Sequence, residues 1–417
     1  MNTIPKLKIN QIDINDTSDF RDIVFNSHYN QMRFFWNKPQ EIEIAGIDYA
    51  FSSEYSNIKE FETLSTYYRN IIKHNYQLLS ELDTPIVFIS NSFDIESERT
   101  QSPWINFPKG LIFIPESIYI NKNGVKKLIT INKDNHVTKE QEENISNKDG
   151  VKLESETSKN TFSTMIDNSI ELIKEKKISK IVLSREKKFK FKFNIERQSD
   201  FLLKAQSKFP ECTTFLYDFK NQGIFFGVTP ETLFKTNRTQ FYSEALAGTF
   251  QSNSNIDVLN ESKELEEHNF VVDNIKKSIS KFSNQLECTK EPYLIELDSI
   301  THMKTELRSK LNPGIDPFDI IYKLHPTPAV CGTPTNVAMN SIRNFEAHDR
   351  GWYSGTLGWI DSKHNSHFIV SIRSGLSIDE NLYTYAGCGI TEQSKKDIEY
   401  NESEIKFNSI LSILNDE

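Results

Sequence analysis

Short apolar runs and longer amphipathic stretches are interleaved along this chain without a strict strand–helix–strand rhythm, and that order most limits its fold. The first third holds the strand-like runs Pro85-Ile86-Val87-Phe88-Ile89 and Gly110-Leu111-Ile112-Phe113-Ile114, with one helical stretch around Glu60–Glu81. A helix across Phe162–Lys176 then feeds the apolar run Ile181-Val182-Leu183. Strand-like segments follow at Phe225–Phe234, Tyr293–Leu297, Gly355–Ile360 and Phe368–Ile372, with helices at Glu261–Phe282 and about Lys396–Leu414. Within Glu261–Phe282, Leu265, Val272, Ile275, Ile279 and Phe282 recur at helical spacing, so one face is buried. A doubly wound sheet needs a helix after nearly every strand, whereas an α+β fold does not; the expected class is α+β.

Three stretches differ in character. Residues 1–118 carry no assignable chemistry, residues 119–160 turn polar and rich in Lys, Glu, Asn and Ser, and residues 161–417 hold the denser signals. The middle stretch reads as a solvated excursion or connector. With 29 Phe and 15 Tyr among 417 residues, the chain has enough apolar surface for a large core. Its net charge is −9, and no basic stripe interleaved with aromatics appears, so neither nucleic acid nor an anionic membrane is an expected partner. An anionic substrate would therefore need a locally positive site. Cys212, Cys288, Cys331 and Cys388 lie far apart and form no C-x-x-C pair, which reads as reduced thiols. The first residues have no apolar core of signal-peptide length, and no segment approaches the ~20 apolar residues of a membrane span. A cytoplasmic location is expected.

Two helical segments carry paired carboxylates. Glu264 and Glu267 stand at i and i+3; Glu399, Glu402 and Lys406 stand at i, i+3 and i+7. Each alone is an ordinary solvated helix face. If the two faces met they would repel unless a hard cation sat between them, and magnesium, held by a few carboxylates and several waters, suits that arrangement. Three turn-rich segments also stand out: SEALAGTF (243–250), LHPTPAVCGTP (324–334) and YAGCGITEQS (385–394). Their glycines either make tight turns or let backbone N–H groups approach an anion. His302 reads as the start of a helix and His325 precedes a proline. A lone histidine is usually a structural hydrogen-bonder. Lys180 reads as a strand end and Glu231, after Pro230, as a turn residue.

These segments occur together and in one order: KIVLSRE (180–186), GVTPETLF (227–234), SEALAGTF, KELEEHNFVVDNI (263–275), LHPTPAVCGTPTNVAM (324–339), DRGWYSGTLGW (349–359), FIVSIRSG (368–375) and AGCGITEQSKKDIEYNESEIK (386–406). In that order they resemble the chorismate-utilising enzymes over about residues 177–414, with the first third matching only by position. The resemblance implies one large α+β domain with mixed and antiparallel sheets packed centrally and helices outside. It implies a magnesium-dependent isomerase converting chorismate to isochorismate. Family members that add water carry a lysine at the position of Lys180, and those that form a covalent ring adduct carry one where this chain has Ala247.

By the same resemblance Lys180 is the general base, Glu231 the general acid and His302 the histidine near the departing hydroxyl. Glu267 and Glu402 are the magnesium ligands, with Glu264 and Glu399 acting through water. Arg373 and Lys406 are the cationic partners of the substrate carboxylates, helped by backbone amides around Gly248 and Gly387. Cys331 and Cys388 stand where glycine or alanine is usual, which bears on loop geometry. The substrate is a small molecule and a monomer is expected. The rival readings are a salicylate synthase, which would go on to eliminate pyruvate, and a non-catalytic chorismate binder. The sequence leaves both a menaquinone and a siderophore pathway open.

Overall fold

The computed structural model describes residues 4–14, 28–98, 103–132, 150–251, 262–297 and 300–415. The strands are β1 (Ile9–Asp13), β2 (Met32–Lys38), β3 (Ile42–Tyr55), β4 (Pro85–Asn91), β5 (Gly110–Lys122), β6 (Val125–Ile131), β7 (Lys152–Glu156), β8 (Lys180–Lys190), β9 (Thr213–Phe219) and β10 (Gly223–Thr229). They continue as β11 (Thr232–Asn237), β12 (Gln240–Gln251), β13 (Ser283–Cys288), β14 (Tyr293–Leu297), β15 (Ile300–Leu311), β16 (Gly332–Thr333), β17 (Thr356–Asp361), β18 (Ser366–Val370), β19 (Ser374–Ile378) and β20 (Asn381–Ile390). The helices are α1 (Ile58–His74), α2 (Tyr76–Leu82), α3 (Lys159–Lys174), α4 (Ile195–Lys208), α5 (Ser262–Ile279), α6 (Pro317–Leu324), α7 (Thr335–Phe345) and α8 (Lys396–Leu414).

Every pairing among the described strands is antiparallel, so no crossover helix is required between neighbours. The strands form two ladders that share β5. Along one edge β5 pairs with β3; along the other its first residues pair with β4 and its last with β6. The first ladder runs β1-β6-β5-β3-β2-β9-β10-β19-β20-β8, with β7 and β16 dividing the far edge of β8. The second runs β5-β4-β17-β18-β11-β12-β15, with β13 and β14 dividing the far edge of β15.

Residues 1–118 thus supply strands to both ladders. The stretch 119–160, expected as a polar connector, contains the end of β5 and all of β6 and β7, while residues 133–149 lie outside the described residues. The polar composition there reflects strands at the ladder margins: all of β7 is exposed, and the first four residues of β6 are exposed or part-exposed. The helical stretch expected around Glu60–Glu81 is two helices. At Asn75 the side chain accepts from the Leu7 N–H (2.9 Å) and donates to the Pro5 and Ile71 carbonyls (3.0 and 2.9 Å), diverting the backbone and tying down the N-terminal segment. His302, expected to begin a helix, lies in β15. There Met303, Thr305, Leu307, Ser309 and Leu311 are buried while Arg308 and Lys310 between them are exposed, a period of two.

Strands β2, β4 and β9 are buried on both faces, which their runs of Phe, Ile and Trp permit. Phe34, Phe88, Phe113 and Tyr217 meet edge to face or stacked in one core, and Trp352 packs edge-on against Phe107, Tyr217, Phe219 and Phe225. Among the described residues no helix is long and apolar enough to cross a membrane.

Two buried arginines fix the elements around β8. Arg185 on β8 is fully buried and donates to Ser403 (2.7 Å) and Glu404 (2.5 Å) of α8 and to Glu156 of β7 (3.0 Å), with Tyr400 stacked 3.9 Å away. Arg350 forms a buried pair with Glu346 (2.5 Å) and donates to the Val182 and Val330 carbonyls (2.7 Å each). Glu346 in turn accepts from the Ser184 N–H and hydroxyl (2.7 and 2.9 Å). Burial would raise the Glu346 carboxyl, but Arg350 outweighs it and the net direction is downward. Glu346→Gln leaves the Arg350 guanidinium buried without its counter-ion. It is expected to lower unfolding stability by about 3–5 kcal/mol, read from urea unfolding curves.

Candidate active site

The chain crosses between the two ladders at two places that carry functional side chains. From β10 it enters β11 through Pro230-Glu231; from β18 it returns to β19 through Ser371-Ile372-Arg373. At the first crossing the Glu231 N–H donates to Thr229 Oγ1 (3.2 Å) and its carbonyl accepts from the Val370 N–H (3.1 Å). Its side chain is 5% exposed. At the second, Arg373 has φ 51°, the left-handed region that non-glycine residues seldom adopt. Its guanidinium donates to Ser409 Oγ on α8 (2.9 Å) and lies 3.4 Å from His302 Nε2.

His302 faces a bulge in β12 at Gly248, whose φ of 78° turns its carbonyl towards His302 Nδ1, 3.1 Å away. A carbonyl can only accept, so the proton sits on Nδ1 and Nε2 is left as an acceptor. Lys180 opens β8 yet is fully buried. The short strand β16 pairs over it, and Gly332, at φ 150°, lacks the Cβ that would strike the Lys180 carbonyl. Lys180 Nζ lies 2.9 Å from Glu267 Oε1 on α5. The Glu267 carboxylate in turn rests against Gly389 of β20, where a Cβ would run into it. On α8, Lys406 Nζ is 2.5 Å from Glu402 Oε1 and donates to the Gly387 carbonyl (2.8 Å).

Glu231, Gly248, Glu267, His302, Arg373, Gly387 and Lys406 line one cavity of about 70 Å³. Lys180 reaches it through Glu267, and Glu402 through Lys406. Glu399 is fully buried one turn before Glu402. Glu264 lies on α5, and its side chain is outside the described residues. His325 is structural: its Nε2 bonds the Ser354 carbonyl (2.8 Å) at the end of α6. All four cysteines are free thiols; Cys388 Sγ contacts the Glu399 carbonyl (3.1 Å) and Cys331 Sγ that of Thr335 (3.8 Å). The stacked rings of Tyr353 and Tyr385, 5.1 Å apart, also line the cavity and were missed from sequence. Tyr385 opens the segment YAGCGITEQS and Tyr353 lies within DRGWYSGTLGW, each close to the glycines that dominate the reading of those runs.

The sequence matches the family described as "Chorismate binding enzyme" over residues 7–415. The chain belongs to that family. It is similar to isochorismate synthase MenF of Bacillus subtilis (strain 168), at 29% identity over 93% of this chain and 89% of that protein. Its fold resembles that of MenF, the menaquinone-specific isochorismate synthase from Escherichia coli, with a TM-score of 0.78 at 20% identity, covering 99% of this chain and 95% of the other. Anthranilate synthase component I from Streptococcus pneumoniae TIGR4 resembles it with a TM-score of 0.71 at 18% identity over 90% and 93% of the two chains. At these identities the two solved structures speak to fold alone.

In this chorismate-binding enzyme the charges around the cavity work in opposite directions. Burial, reinforced by Glu244, pushes the Glu231 carboxyl up to about 8 against the pull of Lys180, Lys406 and Arg373, so it is protonated at neutral pH. Burial, then Arg373 and Lys406, push His302 down to about 3 and keep it neutral. Burial would lower Lys406, but the Glu402 carboxylate more than offsets that and the net direction is upward.

Carboxylates gather at the other end. Oxygens of Glu399 and Glu402 and the Cys388 sulfur lie within 4.8 Å of one another. Burial first, then Glu402, Glu399 and Glu267, hold the Cys388 thiol well above its ordinary range. A protonated thiol is no ligand for a hard cation, so what remains is an all-oxygen donor set, which suits magnesium.

A carboxyl kept protonated by the fold weakens that fold as pH rises. Between the unfolded value of 4.5 and about 8, the unfolded chain releases the Glu231 proton and the folded one does not, so stability falls across this window and levels off above it. Glu231→Gln removes this slope. Urea midpoints are expected to converge near the acid end and to favour the variant progressively up to about pH 8, with no further divergence beyond.

Proposed function

We propose that this chain is an isochorismate synthase that interconverts chorismate and isochorismate, with Lys180 as general base and Glu231 as general acid. The observation that carries the reading is the protonated, buried Glu231 carboxyl in a cavity that a buried lysine reaches through Glu267. Water attacks ring carbon C2 and gives its proton to the Lys180 amine, the ring double bonds shift, and the hydroxyl on C4 leaves with the Glu231 proton. Because water enters and water departs, the product is an isomer of the substrate. Arg373 offers a planar fork to one substrate carboxylate, and its bond to Ser409 and unusual backbone fix where that fork points. Neutral His302 can accept at Nε2 beside the departing hydroxyl. The Gly248 and Gly387 amides and Lys406 assist the carboxylates. Ala247 lines the cavity where a lysine nucleophile would otherwise stand, so water is the attacking group.

Glu267 and Glu402 would hold magnesium, with Glu264 and Glu399 supporting it through water; bound there, it would neutralise and anchor the ring carboxylate. A cytoplasmic monomer completes the reading, and size-exclusion chromatography tests the monomer.

Purified protein incubated with chorismate and magnesium is expected to yield isochorismate on a chromatogram; salicylate with pyruvate, or no turnover, would reject the assignment. Turnover is expected to vanish with EDTA, to return with magnesium, and to be lost in both Glu267→Gln and Glu402→Gln.

Lys180→Ala is expected to lower kcat by about 10²–10⁴, the usual loss for a missing general base, while chorismate binding stays within a few-fold. Near-normal turnover would show that another group takes the proton.

A further inference from the structure

We infer that Glu244 is a positioning residue for Glu231: its carboxylate pins the peptide bond after the acid and sets a fixed negative charge behind it. This rests on the reading of Glu231 as the general acid.

Glu244 lies on β12 and is 7% exposed. Each oxygen has its own task. Oε1 accepts the N–H of Thr232, the residue after Glu231, at 2.9 Å. Oε2 accepts from Tyr242 Oη (3.0 Å) and pairs with Lys304 Nζ of β15 (2.5 Å). The Thr232 bond alone would need only a carbonyl oxygen, so it does not account for a charge. Burying a carboxylate beside another carboxyl is unfavourable, and an apolar residue would serve stability better.

The charge is explained by what faces Glu231. On the substrate side Lys180, Lys406 and Arg373 all favour the ionised carboxylate, which would leave the enzyme without an acid. Among the charged groups of the described residues that act most strongly on Glu231, Glu244 is the anion. Groups facing Glu244 itself include Tyr242, Tyr293, Lys304, Lys38 and Cys212. The Lys304 pair holds the carboxylate in place without placing a cation on the catalytic side. The cations that anchor a dianionic substrate and the proton that must be donated to it are thereby reconciled: Glu244 adds to burial in offsetting the first, so that the second stays on Glu231.

The test reads Glu231 directly. Infrared spectra of the wild type are expected to contain a protonated carboxyl band that is missing in Glu231→Gln, with a titration midpoint near 8. In Glu244→Gln, which keeps an acceptor for Thr232 and removes the charge, that midpoint should fall by about one pH unit or more. At about pH 8, kcat should drop roughly fivefold with little change in KM, as the protonated fraction falls from about a half to about a tenth. Glu244→Met removes the charge while preserving bulk and reads the same midpoint if the glutamine variant does not fold. A Glu231 band with an unmoved midpoint overturns the inference and leaves the acid in place; absence of any such band overturns both.

Discussion

A lysine amine held inside a protein needs a polar partner beside it, and Lys180 and Lys406 find theirs in the carboxylates that bring the site together. Lys180 on β8 meets Glu267 on α5, and Lys406 meets Glu402 within α8. The first pair joins β8 of one ladder, where β16 closes over it, to a helix that lies against β12 of the other. Arg185 then docks α8 on β8 through Ser403 and Glu404. The acidic net charge of the chain is thus compatible with an anion site, because its cations are concentrated where burial makes them count.

The two ladder crossings explain why the acid and the guanidinium are held so firmly. A loop at the surface would let either side chain wander, whereas Glu231 is bonded at both ends of its peptide and Arg373 sits in a backbone conformation that only its surroundings impose. Gly248 adds a third fixed point, since its bulge selects the tautomer of His302. Each device spends local regularity on the direction of one functional group.

Much of this was legible in the sequence, and for identifiable reasons. The α+β class followed from the order of strand and helix runs, and the C-terminal helix ends where its pattern ends. Glu231, Gly248, Glu267, His302, Arg373, Gly387 and Lys406, all named from sequence, line one cavity, since turn residues between strands keep their neighbours when the register is fixed. What was hidden depended on partners far away in sequence. Lys180 looked like a solvated strand end because nothing nearby signals that β16 closes over it. His302 reads as a helix start from sequence although Met303, Thr305, Leu307 and Ser309 alternate with charges, a strand signature masked by the polar members of the alternation. Glu244 carries no signal in the sequence, because a glutamate in a strand is silent until its neighbours across β11 and β15 are known.

The fork at β5 also bears on how the protein comes to be folded. One arm of it requires β4 to pair with β17, and Asn91 bonds Thr356 across 265 residues of sequence. During synthesis β4 can find β5 early, but its other edge has no partner until most of the chain has emerged. Such distant pairings make folding slow, and an apolar strand waiting with an open edge invites pairing with another chain. The strand in question is Pro85-Ile86-Val87-Phe88-Ile89-Ser90-Asn91, buried throughout in the finished protein. Its vulnerability is therefore greatest while the ribosome is still making the second ladder, and it ends when β17 arrives.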